Sequence, residues 1–410
     1  MSRTVRAAFS LWLAALSLWL GAFAPAAARA ESALSAGGLG EPSLEEPARL
    51  RALGGAGAAE HGGRAFSLVN PASVAELEHL VLEGTIMPSL RSVSSRDFGS
   101  ETAHETSFPS MRALVRLPAR IVVGAAYIVG TNGRFGITRQ ETSGTPSTLT
   151  IDGTGGIDLV RMTLARRVSP DVNVGIDYEV IIGSFREDWV RDFADTALVT
   201  TRDTLETTWD RQGRWRFGAQ AHHGGWGIGG VYELSRRLPL ETTQRTAGTL
   251  VRDTGRSLTI PNGFAVGAMA PVTDRLRAVA QYRRANWSRA SLPSDLVDFR
   301  AEQRWSLGFE LLPSPEANGF WSRLPIRVGG TVLQWPDLLA PAGALDISGG
   351  SVGVKEWSVA IGTGIRSQDR GGAIDVSLEA GSRGNKDQLG LTERFIRLAF
   401  SLQVSDETWK

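Results

Sequence analysis

From about residue 77 onward, this chain alternates apolar and polar residues with a period of two. Between residues 172 and 182, Val172, Val174, Ile176, Tyr178, Val180 and Ile182 share one face, and Asn173, Gly175, Asp177 and Glu179 share the other. The pattern returns at Trp305, Leu307, Phe309 and Leu311, at Ile374, Val376, Leu378 and Ala380, and at Ile396, Leu398, Phe400, Leu402 and Val404. Successive side chains of a strand point to opposite faces, so alternation of this kind marks half-buried strands. It leaves two all-β solutions, a soluble sandwich and a membrane barrel.

Segment length separates them. Fourteen alternating segments can be read, at about 79–95, 105–117, 120–131, 155–167, 171–185, 203–220, 224–242, 256–271, 275–290, 298–313, 321–336, 352–367, 371–384 and 389–404. They run about 10–18 residues, where soluble strands average ~5–6 and a tilted membrane strand needs ~9–11. Their connections alternate too. Tight turns such as Leu117-Pro118-Ala119-Arg120 and Val168-Ser169-Pro170-Asp171 trade places with longer polar stretches at about 132–154, 186–202 and 243–255. This is the pattern of an outer-membrane barrel with short periplasmic turns and long outside loops. The fold class expected is all-β: a fourteen-stranded antiparallel transmembrane barrel with an N-terminal hatch. An even strand number returns both barrel ends to the periplasm.

The charges fit a polar lumen. Arg112, Arg116, Asp177, Glu179, Arg214, Arg216, Arg277, Arg304, Glu310, Arg327, Glu356, Asp375, Glu379 and Arg383 fall on the inward parity. A dry sandwich core would hold so many charges only if they were paired, since each unpaired buried charge costs several kcal/mol. Trp215, Trp226, Trp287, Trp321, Trp335 and Trp357 fall near strand ends, where an interfacial girdle stands.

The first residues read as an export signal. Arg3 and Arg6 precede an apolar run from about Ala7 to Phe23, and Ala28-Arg29-Ala30 supplies the small-residue cleavage site. The alternative is an uncleaved inner-membrane anchor. The organisation expected is a signal peptide over 1–30, a hatch over 31–76 and an outer-membrane barrel over 77–410, in a Gram-negative-type envelope. Residues 31–76 do not alternate and are rich in alanine and glycine, with Gly54, Gly55 and Gly57 ahead of Asn70, Pro71 and Ala72. Small residues let a backbone fold tightly against barrel walls, and glycine permits the turns. A flexible periplasmic leader is the plainer alternative.

The run Arg51-Ala52-Leu53-Gly54-Gly55-Ala56-Gly57-Ala58-Ala59, followed by Asn70-Pro71-Ala72, resembles the hatch of the FadL-type outer-membrane transporters, the group that includes OMPP1/TodX-like proteins. Gly175 to Tyr178, Ile260 to Gly267, Gln281 to Ser288, Glu379 to Gly384 and Leu391 to Leu398 resemble strand patterns of the same family. The resemblance implies passage of long-chain fatty acids or other small hydrophobic compounds across the outer membrane. It also implies a kinked strand beside the hatch that opens a lateral gap. The glycine-rich end of the third segment, Gly130 to Gly133, is the candidate for that kink. Ligand-contacting residues are not assigned.

Chemistry of other kinds is missing from the sequence. With Cys 0 and His 5, a thiolate nucleophile, a disulfide frame and a multi-histidine metal site are not expected. Lys+Arg 44 against Asp+Glu 43 gives no case for nucleic acid as a partner. No G-x-S-x-G, P-loop or H-E-x-x-H occurs. Glu356, Asp375 and Glu379 could be read as paired acids, but lumen ion pairing is more economical. His222-His223 reads as a solvated turn without a nearby partner. The chain is expected to be a monomer, not an enzyme and without cofactor, with outer-membrane lipid and a hydrophobic small molecule as its partners. The alternative, from a different class, is a FadL-like shuttle or platform for an exported surface protein, bound through the outside loops 132–154 and 186–202, the latter with Trp189, Asp192, Phe193 and Asp195.

Overall fold

A computed structural model describes residues 32–36, 39–62, 66–78, 80–95, 99–142, 145–195, 197–287, 298–314, 316, 319–339, 352–366 and 372–406. The expected signal peptide lies outside these residues.

The alternating segments form fourteen strands that close into one antiparallel barrel. In chain order they are β1 (Leu80–Ser95), β2 (Gly99–Leu117), β3 (Ile121–Val129), β4 (Ser147–Ser169), β5 (Val172–Phe193), β6 (Thr201–Trp209 and Gln212–His223), β7 (Trp226–Glu233 and Arg236–Thr246), β8 (Thr249–Ile260 and Gly263–Pro271), β9 (Leu276–Ala285), β10 (Asp298–Phe299 and Glu302–Leu311), β11 (Ile326–Leu339), β12 (Val352–Arg366), β13 (Ala373–Asn385) and β14 (Leu391–Asp406). Each pairs with the next. The barrel closes where β14 pairs β1, from Leu80 opposite Asp406 to Ser95 opposite Leu391. Tight turns and both barrel ends share one rim. The other rim carries the long hairpins.

The outward parity is apolar and exposed. Trp305, Leu307 and Phe309 of β10, Val328 of β11, Ile361 of β12 and Ile374 and Leu378 of β13 all stand open. A continuous band of this kind is a lipid-facing surface, because a water-soluble protein does not expose one.

Three expectations are corrected. The stretches 132–154, 186–202 and 243–255 are not loops over most of their length. A hairpin of Phe135–Glu141 against β4 occupies the first. β5 runs on to Phe193, and β7 and β8 stay paired out to Thr246 opposite Thr249. Above the membrane both faces of a sheet meet water, so the ladder continues while the apolar alternation that reveals it stops. Second, Trp287 and Trp335 are buried rather than girdle residues, while Trp215, Trp226, Trp321 and Trp357 are exposed. Trp335 follows Arg327, Gly329 and Leu333 on the inward parity of β11, and Trp287 lies beyond the end of β9. Third, His222 has neighbours: its ring stacks on His61 with centroids 4.4 Å apart, and Nε2 lies 2.6 Å from Glu76 Oε1. The separation is short, but Nε2 meets no partner at hydrogen-bond geometry.

Candidate functional site

The described residues between 32 and 78 thread the lumen. They begin near the hairpin rim, where Ser32 Oγ donates to Glu393 at 2.9 Å, and end at Leu77, packed with Val81, Leu114 and Val122 near the tight-turn rim. Regular structure within the segment is brief: a single helical turn at Ala48–Arg51 and a 3-10 turn at Pro71–Glu76.

Pairs of glycines in the barrel wall receive this segment. Gly175 of β5 faces Gly218 of β6, Gly229 of β7 faces Gly267 of β8, and Gly308 of β10 faces Gly329 of β11. A Cβ on Gly175 would lie 2.5 Å from the Pro71 carbonyl carbon. One on Gly229 would lie 1.9 Å from Ala58 O, and one on Gly329 would lie 2.3 Å from Gly54 N. Any side chain there would collide with backbone, so the bare backbone of the wall is the seat.

The glycine-rich run is shaped to these seats. Gly54 and Gly55 have positive φ, at 69° and 77°. A Cβ on Gly57 would run into the Glu46 carboxylate and Ser67 Oγ. Asn70 is fully buried. Its Oδ1 accepts from Ala72 N at 3.0 Å, capping the turn that Pro71 begins. Its Nδ2 donates to Ala58 O at 2.7 Å and to Ala219 O of the wall at 3.2 Å.

Arginines of the wall then clamp the segment. Glu41 meets Arg91 at 2.8 Å and Arg397 at 2.5 Å, and Arg383 donates to it at 2.9 Å. Glu45 joins Arg161 to Arg283, and Glu60 meets Arg277 and the segment's own Arg49, each at 3.2 Å. Burial opposes the charge of Glu41 and Glu45, yet the arginines around each hold its carboxyl well below the usual range. Glu46 differs. Burial pushes it up to about 7, against hydrogen bonds from Ser67 and the Leu68 N–H. The inward acids Glu356, Asp375 and Glu379 meet Arg383, Arg327 and Arg397 respectively, which accounts for them as ion-pair partners.

Toward the hairpin rim the inward face of β4 to β10 changes from charged to apolar, while Arg91, Arg383 and Glu393 keep charges near that rim on the opposite side. Ile157, Ile181, Trp209, Leu238, Leu240, Leu258, Ile260, Ala285, Trp287 and Phe299 converge there on Leu39 of the threaded segment. The charges that dominate the inward parity hide this layer in the sequence. The signal was present at Leu238, Leu240, Leu258 and Ile260, which alternate on the lumen side.

Gly130 and Gly133 lie where β3 leaves its neighbour. Pairing of β2 with β3 stops at Ser110 opposite Ile128. The chain then turns inward, and Thr131–Asn132 pair with Glu41–Pro42 of the threaded segment. Gly130 N donates to Ile157 O at 2.8 Å, and Gly130 O accepts from Ser43 N at 2.9 Å. Among the described residues, no strand pairing joins β2 above Ser110 to β3 above Ile128. Asn132 Nδ2 spans the opening to Glu105 Oε1 at 2.7 Å. Beside it, Leu159 packs against both the apolar layer and a small cluster of Leu68, Ala126 and Ile128. The apolar surface therefore runs from the layer to Ile128, at the β3 edge of the unpaired stretch, while the β2 edge carries Glu105 in contact with Arg91.

Solved structures match nearly end to end. A Pseudomonas aeruginosa FadL homologue superposes with a TM-score of 0.60 at 12% identity, over 88% of this chain and 98% of its own. The barrel has the FadL-type fold. The Ralstonia pickettii toluene transporter TbuX gives 0.57 at 16% identity over 88% and 99%, and the monoaromatic hydrocarbon channel CymD gives 0.53 at 15% over 90% and 98%. At such identities the FadL-type likeness is one of fold. A sequence family described as BamG matches residues 10–213, ending in the second half of β6. No curated protein sequence matches.

Proposed function

We propose that this chain is an outer-membrane channel for small hydrophobic compounds. Solute enters the apolar layer at the hairpin rim, which faces outward, and leaves sideways between β2 and β3. Residues 31–76 act as the hatch that keeps the polar lumen shut to water. The observation that carries this reading is the apolar surface running through Leu159 to Ile128, at the β3 edge of the unpaired stretch. A greasy solute leaving by that stretch bypasses the arginine–carboxylate groups around Glu45, Glu60 and Glu310 deeper in the lumen, where desolvating ions would oppose it, and meets only the Glu105–Arg91–Glu41 group at the edge of the opening. The FadL-type fold, shared with a toluene transporter and a hydrocarbon channel, supports the same reading.

The test uses the lack of native cysteine. Glu105→Cys with Asn132→Cys, joined by a short cleavable thiol cross-linker, would tie β2 to β3. Uptake of labelled toluene and of fatty acid by a porin-poor host should fall on cross-linking and return on cleavage. Unchanged uptake in the tied protein would refute sideways exit. No uptake of any apolar solute by the untied protein would refute the channel.

A second reading, a platform for an exported surface protein, is favoured by one observation. The hairpin tips expose apolar side chains, with Val199 83% open and Leu198, Leu250 and Val251 also exposed. A stoichiometric protein partner in pull-downs from solubilised membranes would support it. Co-purified hydrophobic solute without protein would support the channel.

A further inference from the structure

The apolar layer holds two hydrogen-bond donors that none of the described residues accepts. Trp209 and Trp287 are each 9% exposed, both belong to the layer, and the Nε1 atom of each is buried without a partner. Their rings are fixed: Phe185 packs on Trp209 with centroids 5.8 Å apart, and Phe299 on Trp287 at 6.2 Å. A phenylalanine would fill either place without leaving a donor stranded. A buried indole normally finds an acceptor, because an unmet donor in an apolar setting is unfavourable.

Water is a poor match. A buried water is held by two to four polar partners, both accepting and donating. The other members of the layer are aliphatic or phenyl side chains. Within the layer a water on either indole would find no side-chain acceptor for its own hydrogens; the acceptors Glu302, opposite Ala285, and Thr207 and Thr242 stand at its edge. An oxygen that accepts and carries no hydrogen satisfies an indole and brings no unmet donor of its own.

We infer that the apolar layer binds a neutral hydrophobic molecule bearing an accepting oxygen, such as a ketone or an ester, with the oxygen on the indole N–H of Trp209 or Trp287. The inference deepens the channel reading and rests on it. A site built to hydrogen-bond one oxygen discriminates strongly against the analogue that lacks it. A bare hydrocarbon would leave both donors stranded.

Hexanophenone and hexylbenzene share a skeleton and differ in the carbonyl. Equilibrium dialysis of each against the full-length protein in detergent, and against Trp209→Phe, Trp287→Phe and the double variant, tests the inference. Comparing proteins for one probe cancels partition into micelles, and heat-modifiable migration shows that each variant is a folded barrel. The ketone should bind about tenfold more weakly to the double variant than to wild type, as expected for one lost hydrogen bond to a buried donor, while hexylbenzene binds both alike. Equal loss of both probes, or no loss of either, would overturn the assignment to the indoles while leaving a ligand site in place. If neither probe binds the wild-type protein saturably, the layer is not a ligand site, and the inference falls together with the channel reading.

Discussion

Gly175 and Gly218 stand directly opposite one another on β5 and β6, and the Pro71–Ala72 backbone, the Pro71 ring and the Asn70 side chain rest on the bare surface between them. A Cβ on Gly218 would lie 2.2 Å from Asn70 Oδ1 and 2.7 Å from the Pro71 ring. The same arrangement recurs with Gly229 and Gly267 under Ala58, and with Gly308 and Gly329 under Leu53 and Gly54. The threaded segment is thus held by close approach of backbone to backbone, in addition to its ion pairs.

Gly218→Val should lift the Asn70 turn from its seat. The outward face of β6 is untouched, so the barrel should still fold and shift on unboiled gels, with an overpacking penalty of about 1–3 kcal/mol falling on the segment. Single-channel conductance in planar bilayers should rise above wild type. Conductance equal to wild type would mean that this seat does not keep the lumen shut.

Glu45 and Glu46 should respond oppositely to loss of charge. Glu45→Gln leaves Arg161 and Arg283 without their shared carboxylate, and breaking a buried pair in this way costs about 3–5 kcal/mol. Glu46→Gln should be nearly neutral in acid and stabilising above neutral pH. The Glu46 carboxyl is raised from 4.5 to about 7, so the folded state holds its proton more tightly than the unfolded chain. Stability from this group is therefore fully present below pH 4.5 and is lost as pH rises through 7, by up to about 3 kcal/mol. Protection of residues 32–78 from protease, followed between pH 5 and 8, should fall in wild type and fall less in Glu46→Gln. A wild-type profile that rises over this range would contradict the assignment.

Leu159 should control the sideways route. Leu159→Asp places a charge where the apolar layer meets Ile128, and a charge there must be desolvated for a solute to pass. Uptake of hydrophobic solute should drop by at least about tenfold, equivalent to a barrier of ~1.4 kcal/mol. The heat-modifiable barrel should persist. Full uptake by a folded variant would place the route elsewhere.

The hairpin tips separate the two functional readings. Leu250→Lys with Val251→Lys alters exposed positions far from the lumen. A channel should keep its uptake, measured as initial rate. A platform should lose its bound protein in pull-downs.

The sequence by itself determined the barrel. Period two survives wherever one face meets lipid and the other the lumen, so all fourteen strands could be placed from Leu80 to Asp406, and the inward charges marked a lumen rather than a dry core. It also picked out Gly54, Gly57 and Asn70 as unusual, since residues 31–76 lack any alternation. Tertiary structure alone decided what those residues touch. Gly175 and Gly218 are 43 positions apart, and Gly308 and Gly329 are 21 apart, so nothing local announces that each pair forms one seat. The apolar layer is assembled from seven strands together with Trp287 and Leu39, and no single strand carries enough of it to be noticed. Strand extensions beyond the membrane were hidden for a related reason. Periodicity records a difference between two environments, and where water lies on both sides of a sheet that difference vanishes although the hydrogen-bonded ladder continues.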